Sequence, residues 1–327
     1  MIYIETGSTD VYHNFAVEYY LTAVRPREEM TFLFWRTTPT LMIGKYQNPY
    51  EEVDVNYARE NDIALVRRMS GGGTIFTDLG GWQFSFIDPE GRDDIAFEKY
   101  TKPVLEALEA LDLPVTFSGR NDLLLHGKKF SGNAQYKLND RTVHHGSLLF
   151  ATDFETMVRA TTVRKEKIQS KSLQSVRERV TNISEHLPRP LTNEGFKAHM
   201  VRFLAGDKEA RLDEADWAEI QAIADARFRP KASFFERTPK FSIEREHRYE
   251  TGLVQVRVNV VRGYIADLSL GGDFFAEQDI EDLEQTLKGV LYEYQSIIEA
   301  LNKRDEKSGI HGVSVPELAA LIVAGNE

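Results

Sequence analysis

Apolar residues recur along this chain in two rhythms, alternation over short runs and three-to-four spacing over longer ones. Ile2 and Ile4 predict a first strand ending at Gly7, and Ser8, Thr9 or Asp10 can cap a helix carrying Phe15, Tyr19 and Leu21 that must stop before Pro26. Phe32 to Trp35 and Leu41 to Ile43 read as paired strands with a turn at Thr37-Thr38-Pro39, and Val53 to Asn61 as a short helix. Ile63 to Val66 is a strand-type run, and Trp82, Phe84 and Phe86 alternate with Gln83 and Ser85 in another. Between Phe97 and Leu111 the pattern is helical, with Val104, Leu105, Leu108 and Leu111 on one face and Pro103 assigned to the first turn. Val115 to Phe117, Leu123 to Leu125, Lys128 to Tyr136 and Val143 to Phe150 then predict a β-meander with a tight turn at His126-Gly127.

Helical spacing from Asn193 to Phe228 closes a large unit, residues 1–238, and Arg237-Thr238-Pro239-Lys240 reads as a linker. Residues 241–327 form a second, smaller α+β unit with no obvious chemistry. In it Val254, Val256, Val258 and Val260 alternate, Arg262-Gly263 turns the chain, Tyr264 to Leu270 returns, Asp279 to Lys303 reads as one long amphipathic helix, and Ser314 with Pro316 starts a last short one. Short strands interspersed with helices imply an α+β fold with a mixed or antiparallel sheet rather than a doubly wound one.

Composition narrows the function. The chain has 327 residues, a net charge of −11 and no cysteine. The acidic balance argues against general nucleic-acid binding, and the missing thiols exclude cysteine-based covalent catalysis. The absence of a signal peptide and of any apolar run of membrane-spanning length favours the cytoplasm and no membrane partner. One segment opposes the overall sign: Arg159, Arg164, Lys165, Lys167, Lys171, Arg177 and Arg179 face only Glu166 and Glu178. It reads as a solvated face or as a patch that meets a phosphate or an acidic partner.

The chemistry centres on Arg67-Arg68-Met69-Ser70-Gly71-Gly72-Gly73-Thr74-Ile75-Phe76-Thr77-Asp78. Three glycines cost backbone entropy, and in return they bare main-chain N–H groups to a ligand, with two arginines at the loop's start. A plain glycine turn is the alternative. Asn121 and Asp122 offer oxygen ligands of the kind Mg²⁺ prefers, or simply an Asx turn. Lys129 precedes Ser131-Gly132, which removes bulk beside a cation suited to stabilising charge on a carboxylate and a phosphoryl group. His144 and His145 must face opposite sides of a strand, so they cannot hold one ion together.

These motifs, taken in order with His144-His145-Gly146 and Ser175-Val176-Arg177-x-Arg179-Val180-Thr181-Asn182, resemble bacterial lipoate–protein ligase A over essentially the whole chain. The resemblance implies the fold shared with biotin protein ligases and class II aminoacyl-tRNA synthetases, with a C-terminal accessory domain. It implies ATP-dependent activation of lipoate as lipoyl-AMP and transfer to a lysine of an acceptor, either a lipoyl-domain protein or a glycine cleavage H-type protein. It makes Lys129 the catalytic residue and Asp122 the Mg²⁺ ligand. Arg68, Ser70, Gly71, Gly72, Gly73, Thr74, Ile75, Phe76, Thr77, Asn121, Gly132, Ala134, His145, Arg177, Arg179, Val180 and Asn182 become the lipoate- and ATP-binding set. Two positions depart from the family pattern: Thr77 stands where His is usual, and Gly81 where Asn is usual. A non-catalytic or partner-dependent binder of lipoate or adenylate, or a transferase working without cysteine, is the alternative.

Overall fold

The computed structural model describes residues 1–91, 94–161, 176–230, 233–234, 243–261, 263–303 and 308–323. The order of elements begins β1 (Ile2–Ile4), α1 (Val11–Tyr19), β2 (Thr31–Trp35), β3 (Thr40–Ile43), α2 (Pro49–Glu52), α3 (Val55–Glu60), β4 (Ala64–Arg67), β5 (Ile75–Thr77) and β6 (Gly81–Asp88). It continues with α4 (Phe97–Glu109), β7 (Val115–Phe117), β8 (Asp122–Leu125), β9 (Lys128–Leu138), β10 (Arg141–Leu149) and α5 (Phe154–Thr161). Helices Asn193–Ala205 and Glu214–Ile223 flank β11 (Glu209–Ala210). The C-terminal part contains β12 (Ile243–Tyr249), β13 (Gly252–Val261) and β14 (Tyr264–Gly272), then helices Ile280–Leu287, Tyr294–Asn302 and Val315–Val323.

Eight strands form one sheet in the order β11-β1-β2-β6-β10-β9-β8-β7. The β11-β1-β2 edge is parallel and the rest antiparallel, so the sheet is mixed. Alternation divides its two faces. Phe32, Phe34, Trp82, Phe84 and Phe86 pack on one side against α4 and the Asn193–Ala205 helix. Leu33, Trp35, Ile87 and Val143 pack on the other side with Phe15 of α1 and with Met42 and Val66 of a second sheet, β4-β3-β5. The cleft between the two sheets holds the site described below. β12-β13-β14 is a separate antiparallel meander with its own core.

The α+β reading with a mixed sheet holds, and so does the meander from β7 to β10. Several local expectations do not. β2 and β3 are not paired: Phe32 pairs with Phe86 in the large sheet, whereas Leu41 pairs with Leu65 and Phe76 in the small one. β5 lies inside what reads as loop. Pro103 is the seventh residue of α4 rather than part of its first turn. The helical stretch from Asn193 to Phe228 is interrupted by β11. The long helix expected from Asp279 to Lys303 is two helices, broken at Gly289 with φ +80°. The proposed linker at 237–240, the Arg262 half of the turn, Ser175, and Arg164, Lys165, Lys167 and Lys171 of the basic segment lie outside the described residues.

Candidate active site

β4 delivers Arg67 and Arg68 to the root of the glycine loop. Both turn away from solvent. Arg67 donates to the carbonyls of Gly44, Lys45, Gln47 and Phe234. Arg68, 5% exposed, donates to Met42 O, Ser70 Oγ, Gly71 O and Gly73 O at 2.6–3.1 Å. Burial draws the Arg68 guanidinium down to about 10, with the Glu52 carboxylate opposing the shift and Arg67 adding to it, so it stays charged at neutral pH. A trans peptide sets its C=O and N–H on opposite sides. By pulling the Gly71 and Gly73 carbonyls inward, Arg68 therefore turns the N–H groups of Gly72 and Thr74 outward. It shapes the loop from beneath rather than standing at its opening.

The outer side of the loop meets the C-terminal meander. Gly72 N–H donates to Phe274 O at 3.0 Å, and Gly272 N–H to Tyr46 O at 3.0 Å. Tyr46 stacks on Phe274 at 4.8 Å, and Phe275 sets its edge on Phe97 at 5.0 Å. A Cβ on Gly71 would lie 2.2 Å from Phe274 O, so only glycine permits this approach. Gly72, at φ +88°, also takes a conformation that side chains disfavour.

Two cavities adjoin the loop. The first is a slot between the sheets, with Phe15, Trp35, Met42, Ile75 and Ala134 as apolar walls and Asn121 and Lys129 at one side. The second is a larger, open cleft lined by Thr74, Phe76, Asp122, Lys129, Arg179 and Val180 among others. Gly73, Thr74, Ile75, Lys129, Gly132 and Ser147 border both. Lys129 Nζ lies 2.7 Å from Asp122 Oδ1 and 3.2 Å from where a Cβ on Gly132 would be, so Gly132 makes room for the ammonium group.

The remaining expected residues divide. Asn121 reaches the slot while its Nδ2 donates to Asn133 O at 3.0 Å. His145 lines the slot, with Nε2 2.6 Å from the fully buried Ser70 Oγ. His144 points to the opposite face, among Phe84, Phe86, Phe97 and Tyr100. Arg179 and Val180 reach the cleft, and Val180 bridges to Lys129. Arg177 is exposed on the same short helical turn and is not among the residues lining either cavity. Asn182 faces away, bonded through Oδ1 and Nδ2 to the backbone of Thr152. Thr77 lies behind the site, where its Oγ1 accepts from Gln83 Nε2 at 2.8 Å, and Gln83 lines the slot.

Sequence reading missed Phe15, Trp35, Met42, Gln83 and Ser147 because their alternation marks them only as sheet or helix positions. It also missed Glu18, described below. The C-terminal part, expected to carry no chemistry, brings Arg248, Leu253 and Asp273 to the rim of the cleft, with Arg248 Nη1 3.5 Å from Asp273 Oδ2. No local signal could have announced that approach.

An apolar slot that opens beside a lysine onto a polar, nucleotide-sized cleft is the architecture of an enzyme that activates a carboxylic acid. Comparison with known proteins is specific. The family model for the lipoyl protein ligase A/B catalytic domain matches residues 10–205, and that for the bacterial lipoate protein ligase C-terminus matches 238–322. Lipoate–protein ligase 1 of Staphylococcus aureus is 39% identical over 301 residues, 91% of this chain and 92% of its own length. Among solved structures, P. falciparum LipL1 in complex with lipoate superposes with a TM-score of 0.77 at 18% identity, covering 92% of this chain and 94% of that one. A lipoate–protein ligase A bound with ATP gives 0.58 at 21% identity, covering 72% and 97%. The chain belongs to the lipoate–protein ligase family.

Proposed function

We propose that this chain activates lipoate with ATP and passes the lipoyl group to a lysine of an acceptor protein. The observation that carries this reading is the position of Lys129, which borders both the apolar slot and the open cleft. An acid whose tail fills the slot presents its carboxylate at Lys129, and a nucleotide in the cleft presents its α-phosphate to the same ammonium group. The carboxylate oxygen attacks the α-phosphorus and pyrophosphate leaves, giving lipoyl-AMP. The acceptor amine then attacks the carbonyl carbon, AMP leaves, and the amine loses its proton. Charge gathers on the same oxygens in both steps, so one fixed cation serves both. Gly72 N–H is taken up by Phe274 O, so Thr74 N–H is the outward amide left to meet the acid's carboxyl end, with Arg68 setting its direction. Arg179 and Val180 cover the adenylate, and Asn182 steadies that covering turn through Thr152.

Among the described residues, no cluster of three His, Asp or Glu side chains could hold a metal by itself. A Mg²⁺ ion that arrives on nucleotide phosphates needs only one or two protein carboxylates. Asp122, partly exposed at the cleft beside Lys129, fits that need, and the ion would supply further neutralisation of phosphate charge. The acceptor in this reading is a lipoyl domain or H-type protein in the cytoplasm. No helix among the described residues is long and apolar enough to cross a membrane.

The two family departures are neighbours in space. A Cβ on Gly81 would sit 3.3 Å from Thr77 Oγ1 and 3.0 Å from Thr152 Oγ1. Thr77 reaches the slot through Gln83, and Gly81 lies against Thr152, so the pair tunes the fit of the acid and leaves Lys129 and Asp122 in place.

The test is lipoate-dependent ATP–pyrophosphate exchange with Mg²⁺ and no acceptor. Wild-type protein should exchange. Lys129→Ala should lower the rate at least ~100-fold with the fold intact, the scale of losing one transition-state charge contact. Full activity in that variant, or no exchange by folded wild type, would overturn the proposal.

A further inference from the structure

Glu18 has no place in any motif and lies on α1, far in sequence from the loop, yet it is 1% exposed. Three groups from different elements converge on its carboxylate: Ser85 Oγ of β6 at 2.5 Å, Tyr136 OH of β9 at 3.0 Å and His145 Nδ1 of β10 at 3.2 Å. Burial pushes this carboxyl up, but the attraction of His145 and the hydrogen bonds from His145, Ser85 and Tyr136 outweigh it and hold it below its ordinary value. Glu18 is thus ionised and accepts only, which obliges His145 Nδ1 to carry a proton.

The contacts continue from there. His145 Nε2 meets Ser70 Oγ at 2.6 Å, the same Oγ accepts from Arg68 Nε at 3.1 Å, and Arg68 Nη2 holds the Gly71 and Gly73 carbonyls. The links from Glu18 to the Gly71 carbonyl are buried and that to Gly73 is part-buried, so they are stiff and costly to break. A core that needed only filling at this point would hold apolar side chains, which are often at least as stable as a buried ion pair. Resting on the ligase reading above, we infer that Glu18 is a positioning residue. Through His145 and Ser70 it sets the rotation of Arg68, and with it, through the Gly73 carbonyl, the direction in which Thr74 N–H faces the substrate. Its removal leaves the slot's apolar walls and Lys129 untouched and loosens the cradle where the acid's carboxyl end rests.

Two variants test the relay at separate links. Glu18→Gln keeps the shape and removes the charge, and Ser70→Ala cuts the relay without disturbing the donors around Glu18. In the free protein, each should speed amide hydrogen exchange across Gly71 to Thr74 about tenfold relative to wild type, while β6 and β10 keep wild-type protection. In pyrophosphate exchange, each should raise the KM for lipoate about tenfold and leave the KM for ATP within about twofold. The double variant should be no worse than either single one, because both interrupt one path. Additive losses, unchanged loop exchange, or a uniform fall in kcat with both KM values unchanged would overturn the inference. The exchange measurement needs no substrate. A chain that makes no lipoyl-AMP but shows the loop effect would therefore sink the ligase reading alone.

Discussion

At the scale of single residues, the adjacent pair His144 and His145 shows how much one step along a strand decides. Alternation alone separates them, and the structure sends one to an aromatic core and the other to the slot. Burial holds the His144 imidazole well below its ordinary value, and His145 beside it adds to the shift. The sign follows from linkage. In the unfolded chain this group takes a proton near pH ~6.5, but the folded core accepts it only at lower pH. Its stabilising effect is complete above that value and fades as the pH falls below it, at up to ~1.4 kcal/mol per pH unit. Urea unfolding from neutral to mildly acid pH should show this decline, and His144→Phe should flatten it. A decline of equal size in the variant would assign it to the carboxylates instead. Lys129 and the glycines were legible in the sequence because their chemistry is unusual where they stand. Glu18 was not, since a single glutamate in a helix reads as a solvated side chain until three distant donors are seen to meet it.

Among the elements, alternation found nearly every long strand, because successive side chains point to opposite faces of the sheet and the two faces meet different neighbours. It failed on partnership. β2 and β3 follow one another after a short turn and look like a hairpin, yet each joins a different sheet, a choice made by packing far from the turn. β5 was hidden by the glycines before it, since three residues are too few to carry a period. The break in the expected long helix has a clear cause. Gly289 N–H donates to Ile265 O at 2.8 Å, and Ile265 N–H donates to Val290 O at 2.9 Å, so the chain leaves the helix to pin itself to β14. A Cβ on Gly289 would meet no atom within 4 Å, which leaves only its positive φ to oppose a side chain. Gly289→Ala should cost about 1 kcal/mol, seen as a lower urea midpoint with an unchanged slope. A midpoint equal to wild type would mean that the break can shift to a neighbouring residue.

For the molecule as a whole, the decisive contact joins the glycine loop to the C-terminal meander. Gly71→Ala would drive a methyl group into Phe274 O, and overpacking of this kind costs about 1–3 kcal/mol. The strain is best relieved by parting Phe274 from the loop. The variant should accordingly lose exchange protection at the Gly72 amide before the large sheet loses any; unchanged protection there would show that the contact yields elsewhere. What makes this junction unusual is that main-chain atoms on both sides form its hydrogen bonds: Gly72 N with Phe274 O, and Gly272 N with Tyr46 O. Every residue type except proline carries those atoms, so most side-chain replacements along the meander would leave the bonds standing. A mutational scan would register them chiefly at Gly71 and Gly271, where an added Cβ would lie 2.2 Å from Phe274 O and 3.0 Å from Tyr46 O, and where the meaningful feature is an empty space. A replacement that merely adds a methyl group there would read as more damaging than the loss of a whole charged side chain nearby.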